Sequence, residues 1–511
     1  MTDLNALHYP WVPLEKGGVT TTLSLRDALV RAHEFDGISK TLAPVEYEAM
    51  LRFLTSAAAV VVRDHRVSVL ASEKRIPVEA VDTFAATFDY LFNLRDADRP
   101  FLQEWHVTAA LDDKNAKPLG QLHVHVPGGS SSPWGLRQEH RPASDPAILL
   151  LLLVLTWFHG KPSNAGFPDC FAGKSISGAP SGGAYDTSFH LIGSTFAETL
   201  LANTLRAWVS SDDTLPAWLD QDAVPDDLSE ATCLWRSTWT PNRPLVLWDE
   251  ETPLRYVKGL TRRPIPALAE NFKDSAKAIH ESDYAHIWHN TAKEDAEPSY
   301  RAVLAPVGVL STEGAVNWYR KGFDHNLVPW GSDRVITKAN VDRIGFHNER
   351  GDTYGTRSHS EFIETELDVL SATGERRDAI WAVLGFADTL RQKVSAPMSR
   401  ASASDPALVK FTQRDFYATI DPIVLGTTLT ASRVDVVSLC ESVATAAKAN
   451  FRSHIRVLAT PATFFMVEEA IARFETAVRY ELAKTLKAHS MPQQPVAAFK
   501  ANATPKENVT S

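Results

Sequence analysis

The most hydrophobic run of the chain, residues 147–158, reads AILLLLLVLTWF and sets the first constraint on the fold. A helix of this length rises about 18 Å, which is short of the roughly 30 Å hydrocarbon core of a bilayer. A helix that is apolar on every side must then lie inside a protein core. The preceding letters SDP supply an N-cap and a proline at the first helical position, and the following HG can end the helix. We therefore predict a buried helix here and no membrane association.

Length, composition and cysteine usage are typical of a cytoplasmic globular protein. The 511 residues suffice for about three domains at ~150 residues each, and 44% hydrophobic residues can build a sizeable core. Cys170, Cys233 and Cys440 are far apart, which argues against a zinc knuckle and a disulfide framework and favours a reducing compartment. The N-terminal letters MTDLNALHYPWVPLEKGG show no secretion signal. We predict a cytoplasmic location.

Residues 166–175, GFPDCFAGKS, end like a nucleotide-binding P-loop but do not fit its pattern. The pattern G-x-x-x-x-G-K-[ST] places its first glycine five residues before Gly173, where Pro168 stands instead. Proline lacks the N–H group that would face a phosphate. We therefore reject an ATP site, and the glycine-rich stretch needs another explanation.

The pattern of apolar and polar residues predicts an α+β fold in which an irregular mixed N-terminal domain precedes a C-terminal four-helix bundle. We place the mixed domain at 1–372, the bundle at 373–490 and a disordered tail at 491–511. Before residue 160 the chain is mostly helical, and the letters GQLHVHV (120–126) alternate like a short strand. The four bundle segments are amphipathic stretches at 378–394, 414–430, 432–458 and 462–489.

Charge is unevenly distributed along the chain. The net charge is −10, which argues against indiscriminate nucleic-acid binding. Over residues 374–511, 17 Lys and Arg exceed 13 Asp and Glu by 4, which leaves −14 for the rest. Lys448, Arg452 and Arg456 recur every four residues and share one helix face. This stripe can follow a phosphate backbone, and a solvated surface explains it equally well.

Two histidine pairs are the only candidates that we find for a metal site. His123 and His125 share a face of the alternating segment, and His286 and His289 stand three apart. Neither pair is joined by a carboxylate or cysteine cluster of the kind that completes a zinc site. The sequence also lacks G-x-S-x-G and H-E-x-x-H motifs. We therefore expect no catalytic residues, no metal and no cofactor.

Several segments, in this order, resemble the CasA family, the large subunit of the type I-E CRISPR surveillance complex, Cascade. They are YPWVPL, SLRDALVRAHEF, PVEYEAMLRFL, DADRPFLQ, GSTFAETLLANTL and GLTRR, followed by the four amphipathic stretches. The resemblance implies a non-enzymatic subunit that recognises the protospacer-adjacent motif (PAM) beside a target in double-stranded DNA. It also implies that this subunit starts duplex opening and R-loop formation and recruits the CRISPR helicase–nuclease for antiviral defence. The implied partners are other Cascade subunits, CRISPR RNA, target DNA and the helicase–nuclease.

The resemblance gives the glycine-rich stretch a role in PAM recognition. In the family a glycine-rich loop at this place enters the minor groove, where missing side chains permit close backbone approach. The equivalent residues here are Gly166, Gly173, Lys174 and Gly178. The letters PDC interrupt the family's run of adjacent glycines. Minor-groove readout discriminates base pairs poorly, so a promiscuous PAM is expected.

A second family element is a wedge, usually built on glutamine, that forces the strands apart below the PAM. The segment IGFHNERGD aligns with it, so the wedge would comprise Asn348, Glu349, Arg350 and Gly351. Arg350 stands where glutamine is expected, and arginine can stack on bases and hold a phosphate. An ordinary polar turn is the alternative interpretation.

Two further family contacts are assigned by position. His289 and Lys293 are the residues nearest to a lysine that contacts the PAM in relatives. The loop that docks on the guide-RNA end of the complex corresponds to 127–143, with Trp134 and Arg137 as anchors. Two other functions stay open on the residues alone: a protein-interaction scaffold without DNA contact, and a metal-dependent hydrolase using a histidine pair.

Overall fold

The computed structural model describes residues 4–65, 70, 73–103, 116–122, 145–159, 187–209, 214–220, 230–240, 242–260, 288–290, 300–302, 338–348, 356–366, 374–401, 412, 416, 419–420, 423 and 436–490. The chain divides into two compact units, Met1–Ala372 and Thr373–Ser511. The predicted tail, 491–511, lies outside the described residues.

The N-terminal unit begins with a small antiparallel sheet. Strands β1 (Val12–Lys16) and β2 (Val19–Leu23) form a hairpin, and β3 (Gly37–Ile38) pairs with the other edge of β1. The hairpin turn is Gly17-Gly18, with φ of 55° and 82°, values that glycine adopts without steric cost. Helix α1 (Leu25–Val30) follows, and Ser24 caps it by accepting a hydrogen bond from the Asp27 amide at 3.0 Å.

Three helices form the centre of this unit: α2 (Pro44–Val62), α3 (Val78–Phe88) and α4 (Pro146–His159). The predicted buried helix is confirmed, since α4 begins at the predicted proline and is buried throughout 149–158. It packs against α2, which is itself largely buried. Among the described residues, no helix is long and apolar enough to cross a membrane.

The described residues of the N-terminal unit form three further sheets. Strands β5 (Thr187–Ile192), β10 (Lys338–Asn348) and β11 (Thr356–Glu366) form an antiparallel sheet in the order β11-β10-β5. A second sheet has the order β4-β7-β6, from β4 (Lys117–Pro118), β6 (Asn242–Asp249) and β7 (Thr252–Leu260). Strands β8 (Trp288–Asn290) and β9 (Tyr300–Ala302) pair with each other. Short helices α5 (Phe196–Asn203) and α6 (Cys233–Thr238) lie between the strands in sequence.

Two local predictions in this unit are wrong. The letters GQL of the expected strand GQLHVHV belong to a 3-10 helix, Leu119–Leu122, and the remaining four residues lie outside the described part. The alternation extends over too few residues to fix an extended backbone, and sheet pairing ends at Pro118. From the letters GSTFAETLLANTL we predict Ser194 as the cap of α5, but the cap is Thr195, one residue later. Thr195 caps the helix because it forms a reciprocal capping box with Glu198.

The second unit is helical, which confirms the α+β class with a C-terminal helical region. Its helices are α7 (Gly374–Ala401), α8 (Val436–Arg456) and α9 (Phe464–Ser490). Between α7 and α8, the described residues of the predicted 414–430 segment, 416, 419–420 and 423, are helical too. Helix α7 extends beyond its predicted end at 394, because Pro397 is accommodated inside the helix. Phe451 and Phe474 stack between α8 and α9 with ring centroids 4.2 Å apart.

Candidate nucleic-acid interface

The chain enters β5 after the segment 160–186, which contains the glycine-rich stretch, and it leaves β10 into the segment 349–355, which contains most of the wedge. Strands β5 and β10 are antiparallel, and Thr187, the first residue of β5, pairs with Gly345 of β10. Asn348, the last residue of β10, stands only three positions further on, which is about 10 Å along the strand. The start of β5 and the end of β10 therefore coincide at one sheet end, even though ~150 residues separate them in sequence.

The predicted DNA-contacting residues themselves lie mostly beyond this point of attachment. Asn348 ends β10 and pairs with Thr356 of β11. The remaining ones, in 160–186 and 349–355, are outside the described residues: Gly166, Gly173, Lys174, Gly178, Glu349, Arg350 and Gly351. The described strands therefore show where these two segments are attached to the sheet.

Strand β5 is held on its other edge by Asn203, at the end of α5. The Asn203 side chain accepts a hydrogen bond from the Leu191 amide at 3.0 Å and donates one to the Leu191 carbonyl at 2.7 Å. It also donates to the Thr199 carbonyl at 2.8 Å and is completely buried. The Asn203 side chain thus makes the two hydrogen bonds to the Leu191 backbone that a neighbouring strand would make at this edge of β5.

A second buried contact joins β5 to α2. Glu48 Oε1 lies 3.6 Å from His190 Nε2 and 3.7 Å from Arg52 Nη1, and all three side chains are buried. Arg52 in turn donates from Nη2 to the Ser237 carbonyl at 3.2 Å, and its guanidinium lies over the Phe158 ring at 5.2 Å from the centroid. These contacts bring residues of β5, α2, α4 and α6 together around one buried cluster.

The segment that follows β5 is fixed by Glu198. Its carboxylate accepts hydrogen bonds from the Ser194 amide at 2.9 Å and from the Ser194 hydroxyl, and it lies 3.1 Å from Lys74 Nζ. Burial opposes ionisation, but the hydrogen bonds from Ser194 and Lys74 outweigh it and lower the pKa of Glu198 below its usual value. Gly193 is required beside it, because a Cβ there would clash with Glu198 Cβ.

The other sequence candidates are only partly described. His289 lies in β8 and pairs with Arg301 of β9, whereas Lys293, Trp134 and Arg137 lie outside the described residues. The same holds for the remaining histidines of the two pairs, His123, His125 and His286. Within the described ranges, no group of three or more His, Cys, Asp and Glu side chains is arranged to hold a metal ion.

The basic stripe of the second unit lies on α8, and its three side chains have different surroundings. Arg452 forms an ion pair with Glu475 of α9, so its charge is partly compensated. Arg456 is exposed and Lys448 half-buried, and no carboxylate of the described residues forms an ion pair with either. The stripe thus offers two cations to a polyanion, with the third one anchored to the neighbouring helix.

The anchors of β5 were missed by reasoning from the sequence. Glu48 and Asn203 are polar residues inside the apolar segments PVEYEAMLRFL and GSTFAETLLANTL, which were noted only for their resemblance to a family. A polar residue on the buried face of a helix is the one signal that could have identified them, because such groups must find partners inside the protein.

Comparison with known proteins identifies the family. The family model described as CRISPR-associated protein Cse1 matches residues 5–343, more than half of the chain. The chain belongs to the Cse1 family. The CasA/Cse1 protein of Thermus thermophilus is 28% identical over 321 residues, which are 57% of this chain and 60% of that protein. The match thus spans less than two thirds of that relative's length.

Solved Cse1 structures share the fold over almost the whole chain. Thermobifida fusca Cse1 has a TM-score of 0.67 at 15% identity, covering 94% of this chain and 99% of the other. A chain from a solved CRISPR RNA-guided surveillance complex has a TM-score of 0.64 at 17% identity, covering 93% and 99%. At such identities the likeness concerns the fold, and it extends past residue 343 into the helical unit. The resemblance inferred from the sequence, to the CasA family, is confirmed.

Proposed function

We propose that this Cse1-family chain is the non-catalytic subunit of a type I-E surveillance complex that recognises the PAM and starts opening of the target duplex. The attachment of two segments to one sheet end carries this proposal. A protein that reads a short sequence and parts the adjacent base pair needs its reading and parting elements within a few ångströms of each other. Base pairs are stacked about 3.4 Å apart, and the distance of about 10 Å between the start of β5 and the end of β10 corresponds to about three base-pair steps.

The chemistry of the two segments suits these two tasks. Gly166, Gly173 and Gly178 allow the backbone to approach the floor of the minor groove, and Lys174 can bind a phosphate beside it. Arg350 carries a planar cation that can stack on an unpaired base and hold a phosphate. R-loop formation exchanges one duplex for another of similar stability, so a few kcal/mol from these contacts decide the outcome.

The helical unit contributes sequence-independent attraction to the DNA. Arg456 and Lys448 present positive charge along α8, and such contacts release counterions from the phosphate backbone. Trp134 and Arg137 would dock the chain on the guide-RNA end of the complex. The opened target would then be passed to the recruited helicase–nuclease. One structural relative comes from a CRISPR RNA-guided surveillance complex, which supports membership of this chain in such an assembly.

Reconstitution of the complex with and without this chain tests the proposal. The probe is a library of target duplexes randomised at the positions that flank the target, with a duplex lacking the target as control. We expect the complete complex to select particular flanks and to open those duplexes, measured by sequencing the bound fraction and by permanganate reactivity of unpaired thymines. Binding that is the same with and without the chain, for every flank, would replace the recognition role by that of a scaffold without DNA contact.

A further inference from the structure

The turn between α8 and α9 exposes a concentration of large hydrophobic side chains. Nine such side chains are exposed in the described part of the chain, and four of them lie within residues 457–466: Val457, Phe464, Phe465 and Met466. Phe465 is 85% exposed and Val457 82%. Single exposed hydrophobic residues are common, whereas a contiguous group of them marks a surface that binds something. We call residues 457–466 the tip.

The tip adjoins the basic stripe of α8. Helices α8 and α9 are joined by seven residues and pack as an antiparallel pair. The ion pair between Arg452 and Glu475 marks one side of this pair. Arg456 follows Arg452 by four residues and Phe464 precedes Glu475 by eleven, and both spacings keep a residue on the same helix face. Arg456 and Phe464 therefore lie on that side, nearer the tip than the ion pair.

The dimensions of this side suit a short length of single strand. At 1.5 Å per residue, Arg456 lies about 6 Å and Phe464 about 16 Å beyond the ion pair along the helix axes. Lys448 lies about 6 Å away in the opposite direction. The distance from Lys448 to Phe464 is thus about 22 Å, which corresponds to about six or seven stacked nucleotides at 3.4 Å each. Protein sites for single strands commonly take about 4–16 nucleotides.

We propose that the tip and the basic stripe bind single-stranded DNA: bases stack on Phe464 and Phe465, and phosphates lie along Arg456 and Lys448. The two rings have centroids 5.9 Å apart and stand at 80°, so they present faces in two directions. A flexible strand can stack an unpaired base on each ring, whereas the bases of a duplex are already covered by their neighbours. Arg456 is exposed, and no described carboxylate forms an ion pair with it.

The hydroxyl groups of the tip are occupied, so they do not read a base sequence. Thr460 and Thr463 bond to each other with their hydroxyl oxygens 2.8 Å apart, and Thr463 also donates to the Leu458 carbonyl at 2.6 Å. Stacking and charge then hold the strand, which makes binding independent of sequence. The choice of DNA over RNA rests on the proposed function, in which a DNA duplex is opened and releases an unpaired strand.

The apolar part of the C-terminal tail is too short to cover the tip. Helix α9 extends about 39 Å from Phe464 to Ser490. Phe499 stands nine residues beyond Ser490, so it can lie at most about 32 Å from it. The letters PVAAF (495–499) therefore stay short of the tip.

The test uses the purified full-length chain and a fluorescein-labelled oligothymidylate of about 15 nucleotides, with binding followed by fluorescence anisotropy. Phe465→Leu keeps an apolar side chain but removes the aromatic ring, and Phe465→Tyr keeps the ring. We expect Phe465→Leu to weaken binding about tenfold, the loss of one stacked base, and Phe465→Tyr to bind like wild type. Because the ring is uncharged, the dependence of affinity on salt should not change. Phe465→Leu that binds like wild type would overturn the inference and leave the tip to a protein partner.

Tyr480→Leu is the matched control, since Tyr480 is an aromatic residue of the same helix and is 68% exposed. It lies about 24 Å from Phe464 along α9, so its loss should not change binding. Equal losses in Tyr480→Leu and Phe465→Leu would contradict a site at the tip.

Glu468→Gln should change the affinity in the opposite direction. Glu468 is an exposed carboxylate one turn after Phe464, where it repels phosphates, so its neutralisation should tighten binding of the oligothymidylate. An oligouridylate of the same length is the comparison. Tighter binding of the oligouridylate than of the oligothymidylate would overturn the choice of DNA.

A second measurement uses the reconstituted complex and a target duplex with 5-iodouracil in place of thymine, which forms photo-cross-links to aromatic side chains that stack on it. We expect a cross-linked peptide that contains Phe464 and Phe465, and none from a duplex that lacks the target. Absence of this peptide from duplexes that permanganate shows to be open would contradict the inference. Duplexes that the complex never opens would instead contradict the proposed function itself.

Discussion

At the scale of single residues, Glu198 shows how a side chain in a helix capping box can hold the residues that follow a strand. Its carboxylate joins Ser194, the cap of α5 and Lys74 at the point where β5 ends. The pKa of Glu198 is lowered, so the ionised form is favoured in the folded protein. A lowered pKa stabilises the fold at pH values above the unfolded pKa, and that contribution is lost as the pH falls through the folded pKa.

Glu198→Gln should therefore destabilise the protein at pH 7 by about 1–2 kcal/mol, as expected for lost hydrogen bonds to a charged group. The difference from wild type should shrink as the pH is lowered below the usual carboxyl pKa, because the unfolded wild-type chain then takes up a proton that the folded protein binds only at lower pH. Urea denaturation at a series of pH values measures this. Glu469→Gln, at an exposed ion pair with Arg473, is the control and should change little. A pH-independent loss in Glu198→Gln would exclude this role for its charge.

Arg350 is a second single residue that can be tested, because it stands where the family's wedge is expected to carry glutamine. Arg350→Ala should lower R-loop formation while initial binding to a favoured flank persists, since a guanidinium over an aromatic ring contributes about 0.5–2 kcal/mol. Stopped-flow fluorescence of a base analogue beside the flank separates the two steps. Arg350→Gln should restore part of the opening rate. Equal loss of binding and opening in Arg350→Ala would remove the wedge assignment.

At the scale of elements, the basic stripe of α8 can be tested without breaking the ion pair between Arg452 and Glu475. Arg456→Glu should weaken DNA binding of the complex and reduce the slope of log K against log salt by about 1, because one phosphate contact is lost. The equivalent change on α9, Arg473→Glu, is the comparison, since Arg473 already pairs with Glu469 on its own helix. A slope that is unchanged in Arg456→Glu would assign the stripe to the solvated surface.

Elements whose signals are local were predictable from sequence. Helix α4 begins and ends as its flanking residues indicate, and α1 is capped by Ser24, a residue type that favours this position, because caps depend on neighbours within one turn. The pairing of β5 with β10 was not predictable, since it joins residues ~150 positions apart, and no local pattern encodes such a partner. Pro397 inside α7 was missed for the same reason: packing of the bundle outweighs the local preference to end a helix.

The candidate site stays a prediction. A family resemblance, rather than any chemical motif, suggested which segments would face the DNA, and the structure shows that the start of β5 and the end of β10, which border two of these segments in sequence, lie at a common sheet end. Glu48 and Asn203 escaped notice because one buried polar residue within an apolar helix is inconspicuous until its partners in space are known. His190 illustrates this best, since nothing near it in sequence reveals its contact with Glu48.

At the scale of the whole molecule, the distribution of charge and fold suits a protein that acts within an assembly. The first 373 residues carry a net charge of −14, so under the proposed function the attraction to DNA would come from local loops and from the positive C-terminal part. Under the proposed function the glycine-rich stretch and the wedge segment meet the DNA at adjacent positions. Their separation along the DNA is therefore tested by a measurement of position rather than of affinity.

The most direct measurement is site-specific photo-cross-linking in the complete complex bound to a target duplex with a favoured flank. A photoreactive amino acid replaces Lys174 in one preparation and Arg350 in another, and Tyr480, which is exposed on α9, serves as the control position. We expect cross-links from Lys174 within the flank and from Arg350 at the first base pair of the target, no more than about three base-pair steps apart. Cross-links that map to distant parts of the duplex, or that arise from neither position, would contradict this expectation.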